Sequence, residues 1–306
     1  MNKRLLLTMI GGLPLHIPVM KESVIYFLDP KPNENFVDCT VGEGGHSMAI
    51  LERSGPFGKV LGIDADPVIL ERLKRKIEGT IYEKRLFLVC GNFANLNEIV
   101  GKCAFRHVSG VLFDLGLSSW HLEESHRGFS FLRNEPLDMR YNPENRLTAE
   151  AILNFWSLRD IERILRVYGQ ERFSRRIAEE IVRSRPLKTT VDLVMAVERA
   201  TPSWYHRGRI HFATKTFQAL RIAVNNELEN LEKALPQALN VMDKGGRLVV
   251  ISFHSLEDRV VKNFLREKAK EGAVKILTKK PVRPSREEIA GNPRCRSARL
   301  RAAVKV

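Results

Sequence analysis

The sequence predicts an α/β protein: a parallel sheet buried on both faces, built from two stretches of chain with an all-helical block inserted between them. Three observations predict it. Short apolar runs rich in β-branched residues alternate with helix-compatible stretches early in the chain, and the alternation returns near its end. Between 125 and 211 no convincing strand occurs. The apolar runs end in acidic or glycine-rich turns, where a parallel sheet places its ligand crevice.

The elements follow in order. A leader over 1–12 has two basic residues and a brief apolar run, but no small-residue cleavage site, so it makes a poor signal peptide. His16-Ile17-Pro18-Val19-Met20 leads into a helix over 21–28. Phe36-Val37-Asp38-Cys39 is the first strand. It runs into the turn Thr40-Val41-Gly42-Glu43-Gly44-Gly45-His46 and a helix over 47–53. A second strand over 59–63 ends in Asp64-Ala65-Asp66-Pro67, and Pro67 suits the first turn of a helix over 68–76. A third strand over 85–89 ends in Gly91-Asn92-Phe93, and a fourth over 110–113 in Asp114-Leu115-Gly116.

The helical block begins with a short helix capped by Thr148, and Ser157 caps another over 158–168. A basic amphipathic helix is expected over 170–183. Thr189 with Asp192 forms a capping box for 193–200. A long helix over 216–239 follows, with Pro236 as its point of disturbance. Asp243-Lys244-Gly245-Gly246 is a turn, and the fifth strand over 247–252 opens on Phe253-His254-Ser255. A helix over 256–270 precedes strands over 274–277 and 300–305, joined by a loop rich in proline and arginine. The expected domains are therefore 1–124 and 212–306 for the sheet and 125–211 for the helical insertion.

Hydrophobic content of 43% and charged content of 28% over 306 residues suit a soluble globular chain with a real core. Cys39, Cys90, Cys103 and Cys295 show no paired spacing. This argues against a disulfide framework and a zinc site, so no metal is expected, and it fits a reducing cytoplasm. No stretch reaches the length of a membrane span. The net charge of +14 is segregated. Residues 1–124 carry 14 basic and 15 acidic side chains, whereas 125–218 carry 17 and 11 and the tail from 272 carries 10 and 2. Such segregation points to a polyanionic partner such as nucleic acid.

The glycine turn carries the chemistry. A dinucleotide fingerprint would place its third glycine at 47, where the chain has serine. The observed Gly42-Glu43-Gly44-Gly45 is closer to the turn of methyltransferases that bind S-adenosylmethionine. Asp38 and Glu43 supply acidity suited to that ligand's cationic groups; the other reading is simply a tight strand–helix turn. Asp64 lies 22 residues beyond Gly42, the spacing of an acceptor for ribose hydroxyls, although it could instead cap a helix, as Asp66 could. Phe93 is placed to lie against an adenine ring or to join the core. With Asp114, four strand ends surround one crevice and imply a nucleoside-containing cofactor.

With these residues in place, the chain resembles the MraW family of methyltransferases, which act on N4 of a cytosine in 16S ribosomal RNA. The resemblance spans nearly the whole chain. It rests on His16-Ile17-Pro18-Val19, Gly42-Glu43-Gly44-Gly45-His46-Ser47, Asp114-Leu115-Gly116-Leu117-Ser118-Ser119 and Arg127-Gly128-Phe129-Ser130-Phe131. Pro136-Leu137-Asp138-Met139-Arg140, Tyr168-Gly169-Gln170-Glu171-Arg172, Thr216-Phe217-Gln218-Ala219-Leu220-Arg221-Ile222, Ile251-Ser252-Phe253-His254-Ser255-Leu256-Glu257-Asp258-Arg259 and Asn292-Pro293-Arg294 extend it. It implies a Rossmann-like class I S-adenosylmethionine-dependent methyltransferase sheet interrupted by a helical domain that recognises RNA. It also implies that Gly44, Gly45, His46, Asp64, Phe93 and Asp114 hold the cofactor. A further contact, usually glutamine, falls on His121 here. Phe212 and Lys215 stand where relatives commonly show proline and arginine; Lys215 keeps the charge but not the bidentate geometry.

Transfer from a sulfonium needs in-line approach more than a strong base. The cytosine amine is a poor nucleophile, so acceptors that hold its hydrogens would favour attack. Asp114 is the foremost candidate, with Ser118, Ser119 and His254 secondary; His254 braces the site or is a satisfied buried histidine. A motif of the Asp-Pro-Pro-Tyr type, usual in DNA amino-methyltransferases, is absent, which weighs against that alternative. The intact set of Gly44, Gly45, Asp64 and Asp114 weighs against an RNA-binding protein with a vestigial crevice. The small ribosomal subunit and its 16S RNA are the expected partners, and a homodimer is compatible with the sequence. Arg172, Arg175, Arg176, Arg183 and Arg185, with Lys279, Lys280, Arg283, Arg286, Arg294, Arg296, Arg299 and Arg301, are the expected phosphate contacts.

Overall fold

The computed structural model describes residues 18–306. The leader and the His16-Ile17 half of the first motif lie outside the described residues. In chain order the elements are α1 (Lys21–Leu28), β1 (Asn35–Asp38), α2 (Gly45–Arg53), β2 (Val60–Asp64), α3 (Pro67–Ile77), β3 (Leu86–Cys90), α4 (Leu96–Lys102) and β4 (Val108–Asp114). Then come α5 (Ser119–Glu123), α6 (Ala149–Phe155), α7 (Leu158–Val167), α8 (Ser174–Arg183), α9 (Thr190–Ala200), α10 (Ser203–His206), α11 (Thr214–Asn225) and α12 (Glu227–Val241). The chain closes with β5 (Met242–Ser252), α13 (Ser255–Lys270), β6 (Val274–Ile276), α14 (Arg286–Gly291) and β7 (Arg299–Lys305).

The chain forms two compact units. One joins the described residues up to Gly116 to Glu232–Val306; the other is Leu117–Leu231. Thus α5 and α11, which lie outside 125–211, belong to the helical unit.

In the first unit seven strands pair in the order β3-β2-β1-β4-β5-β7-β6. β1 to β5 run parallel, but β7 is antiparallel to both its neighbours. The expectation of a wholly parallel sheet is therefore corrected at its edge: after residues 277–298, which carry α14, β7 returns between β5 and β6 and runs against both. The buried runs Phe36-Val37, Leu61, Ile63, Val111-Leu112-Phe113 and Val249-Val250-Ile251 form the core. Burying both sheet faces requires such continuous apolar strands. Asp243 to Gly246, expected as a turn, fall within β5 at a register irregularity: Met242 pairs with Val108, pairing resumes at Arg247 opposite Gly110, and Gly245 lies at φ +81.

The helical unit packs around Ile152, Leu153, Ile161, Leu165, Ile177, Ile181 and Leu220. Its caps form as expected: Thr148 caps α6, Ser157 caps α7, and Thr189 with Asp192 makes a capping box at α9. Two helix limits differ. α8 starts at Ser174, because Gln170 adopts the left-handed conformation at φ +49. The long helix breaks at Asn226, also left-handed at φ +50, while Pro236 stays inside α12. Among the described residues, no helix is long and apolar enough to cross a membrane.

Candidate functional site

β1, β2 and β4 each end on an aspartate: Asp38, Asp64 and Asp114. The glycine turn arches over the first two ends. Val41 N–H donates to the Ile63 carbonyl at 2.9 Å, and Gly44 N–H to the Val41 carbonyl at 2.8 Å. Gly44 has φ +82, and a Cβ there would lie 2.6 Å from Leu73 Cδ1; one on Gly45 would lie 3.1 Å from Pro18 Cγ. The two glycines thus let the turn press onto α3 and the chain before α1. α2 begins directly after it, so the helix N-terminus faces the strand ends.

Asp38 is 1% exposed. It accepts from Ser47 Oγ at 2.7 Å and Thr40 N–H at 3.2 Å. Burial pushes its carboxyl up to about 6, against the lowering pull of His46 and these hydrogen bonds. His46, 6% exposed, has Nε2 3.4 Å from Asp114 Oδ2. That separation lies within ion-pair range, yet neither ring nitrogen makes a hydrogen bond, and Asp114 Oδ1 is buried without a partner. Backbone N–H of Asp114 donates to Thr40 Oγ1 at 2.7 Å, tying the β4 end to the turn. Orphaned polar atoms are unusual in a packed interior and mark a place where a ligand can complete the bonding.

Asp64 accepts from Gly42 N–H and Asp66 N–H, each at 3.0 Å. Asp66, not Asp64, caps α3, accepting from Val68 N–H with Pro67 in the first turn. Phe93 opens a single 3-10 turn after β3 and meets Phe113 edge-on at 5.6 Å. His254 caps α13: its Nδ1 accepts from Glu257 N–H at 3.4 Å, while Glu257 Oε2 accepts from the N–H groups of Phe253 and His254. The structure thus groups Gly44, Gly45, His46, Asp64, Phe93, Asp114 and His254 in the sheet unit.

Ser118, Ser119 and His121 belong to the helical unit. Ser118 Oγ caps α5 by accepting from His121 N–H, and lies 2.7 Å from His121 Nδ1. The His121 ring packs edge-on to Trp120, Phe129 and Tyr141. Thr40 and Ser47 brace the aspartates and carry no sequence signal of that role. Glu257 could have been found, since an acid three residues after a cap position is half of a capping box.

The basic residues divide into two kinds. Arg301, 7% exposed, donates to Asp258 at 2.7 Å, and Arg299 lies 3.5 Å from the same carboxylate, so these two hold β7 to α13 rather than facing phosphate. Arg185 donates to the carbonyls of Leu153 and Trp156, closing the end of α6. Arg183 and Arg199 both pair with Glu180. Lys279, Lys280, Arg283, Arg286, Arg294 and Arg296 remain exposed.

The MraW methylase family model matches residues 14–306. A ribosomal RNA small subunit methyltransferase H from Thermotoga neapolitana is 49% identical over 294 residues, covering 95% of this chain and 96% of its own length. The protein of the same name from Dehalococcoides mccartyi (strain BAV1) is 46% identical over 306 residues, covering 95% and 86%. That from Heliobacterium modesticaldum is 45% identical over 310 residues, covering 95% and 98%.

Proposed function

The chain belongs to the MraW methylase family, and from that premise we propose that it methylates the exocyclic N4 of a cytosine in the 16S RNA of the small ribosomal subunit, in the decoding region and in the cytoplasm, with S-adenosylmethionine as donor. The observation that carries the reading is the half-buried Asp114 carboxylate at a strand end, with its buried Oδ1 orphaned and Oδ2 beside His46. The names of the relatives support the choice of RNA, as do the exposed cations of the tail.

The residues fit the donor. Asp64 would accept the ribose hydroxyls, Phe93 would flank the base, and the Gly44-Gly45-His46 backbone at the α2 N-terminus would face the remainder. When bound, S-adenosylmethionine supplies a methyl group already activated on sulfur. The protein's own task is then to hold the amine. Asp114 Oδ1 accepts one N4–H, which directs the nitrogen lone pair toward attack, while His46 Nε2 stands 3.4 Å from Oδ2. The surplus proton on the methylated nitrogen passes to solvent once transfer is complete. The target cytosine has to leave its stack to reach a site at the strand ends. His254 preserves the α13 N-terminus beside β5 and acts by positioning.

The test is methyl transfer from labelled S-adenosylmethionine onto small-subunit particles and naked 16S RNA, with mass mapping of the product. One methyl on a cytosine N4 is expected. Label on a carbon atom of the RNA, or nowhere, would overturn the reading.

A further inference from the structure

We infer that the segment from Trp204 to Phe212, on the helical unit, is a preformed docking surface for single-stranded RNA, stacking a base on Trp204 and holding phosphates with Arg207 and Arg209. The inference rests on the RNA-methylation reading and names a surface for that substrate.

The segment is fixed from behind. Tyr205 OH donates to Glu171 Oε2 at 2.8 Å, and His206 Nε2 lies 2.9 Å from Thr201 Oγ1. Four rings form a ladder: His206 against Phe212 at 4.5 Å, Phe212 against His211 at 4.3 Å, and His211 against Phe131 at 4.4 Å with planes 8° apart. Burial and the neighbouring His206 hold the His211 imidazole below its ordinary value. Gly208 N–H donates to the Tyr205 carbonyl, closing the turn that carries Arg207, with Arg209 directly after it.

What faces outward is different in kind. Trp204 is 56% exposed and Ile210 52%. The Arg172 guanidinium stands 5.5 Å from the Trp204 ring. Arg207 and Arg209 are exposed, and the sequence has no acidic residue from Arg199 to Asn226. A purely apolar partner would leave these cations unmatched, and an acidic peptide would leave the indole face without a stacking partner. Single-stranded RNA supplies both phosphates and π-faces. Because the backbone is already held, little ordering entropy opposes binding.

The probe is a fluorescent single-stranded RNA of about ten nucleotides, titrated into the full-length protein at several salt concentrations. Trp204→Ala is expected to weaken binding roughly tenfold, and Trp204→Phe to retain it within about twofold. Arg207→Ala with Arg209→Ala should lower the salt slope by about 1.4. Tryptophan emission should be quenched by RNA in the wild type and not in Trp204→Phe. Binding of S-adenosylmethionine, unchanged in every variant, controls for folding. Wild-type RNA affinity and salt slope in Trp204→Ala and in the double arginine variant would overturn the inference while leaving the methylation reading intact. Absence of methyl transfer by the wild type would remove that reading and leave this binding result standing.

Discussion

At the carboxyl ends of the strands, Asp38, Asp64 and Asp114 stand close to the chain's own N–H groups and hydroxyls, and to a histidine that makes no hydrogen bond. Along the tail and on the helical unit, Lys279, Lys280, Arg283, Arg207 and Arg209 stand in solvent. The first region uses few charges, each with a fixed geometry; the second uses many, each replaceable. Loss of one group should therefore be severe at the strand ends, and small and additive on the basic surfaces, since each phosphate contact adds a similar, salt-dependent increment. The contrast also separates the arginines themselves, because Arg301 belongs by sequence to the tail and by structure to the sheet.

The largest effect is expected at Asp114. Asp114→Ala should lower methyl transfer about 100-fold, the usual scale for one oriented electrostatic contact at a reacting group. Its thermal midpoint should fall little, because Oδ1 has no partner and Oδ2 has only the 3.4 Å approach of His46 to lose. Unchanged turnover would end its orienting role.

Asp258→Ala comes next and breaks the apparent uniformity of the tail. It leaves the buried Arg301 guanidinium unmatched and should cost about 3 kcal/mol in chemical denaturation. Burial raises the Asp258 carboxyl, but the bond from Arg301 and the charges of Arg299 and Lys262 outweigh it and hold it below its ordinary value. Its contribution is therefore present at neutral pH and is lost as pH falls. A stability unaffected by the substitution would return Arg301 to the surface group.

Asp38 behaves oppositely. A carboxyl raised to about 6 binds its proton more tightly when folded, so its contribution is favourable below about pH 4 and is lost as pH rises through 6. Asp38→Asn should gain about 3 kcal/mol over wild type at about pH 7.5, with the gain vanishing below about pH 4. Denaturation curves at the two pH values check it, and a pH-independent difference would contradict it. The smallest effect is His254→Ala, about 1 kcal/mol from the lost cap, with His254→Asn restoring most of it.

Much of this was open to reading in the sequence. Continuous apolar runs ending in aspartate mark buried parallel strands, and Asp66 before Pro67 marks a helix start, so the rim of Asp38, Asp64 and Asp114 emerges from local pattern alone. What stayed hidden depends on partners distant in sequence. Arg299 and Arg301 reach Asp258 together because alternate residues of β7 share a face, and that requires knowing which helix covers the face. The helix break at Asn226 escapes notice because asparagine is tolerated within helices, whereas Pro236 draws attention and breaks nothing. The Trp204 surface is invisible in composition, since its four-ring support joins Phe131 to residues some 75 positions later.

The division of labour between strand ends and basic surfaces is tested most directly by titrating both ligands into the same two variants, Asp64→Ala and the triple Lys279→Ala, Lys280→Ala, Arg283→Ala. Asp64→Ala should weaken S-adenosylmethionine about tenfold and leave RNA affinity within about twofold. The triple variant should leave S-adenosylmethionine unchanged and lower the salt slope of RNA binding by about 2. A crossed pattern is the predicted result; equal weakening of both ligands in both variants, or an unchanged salt slope, would contradict the account.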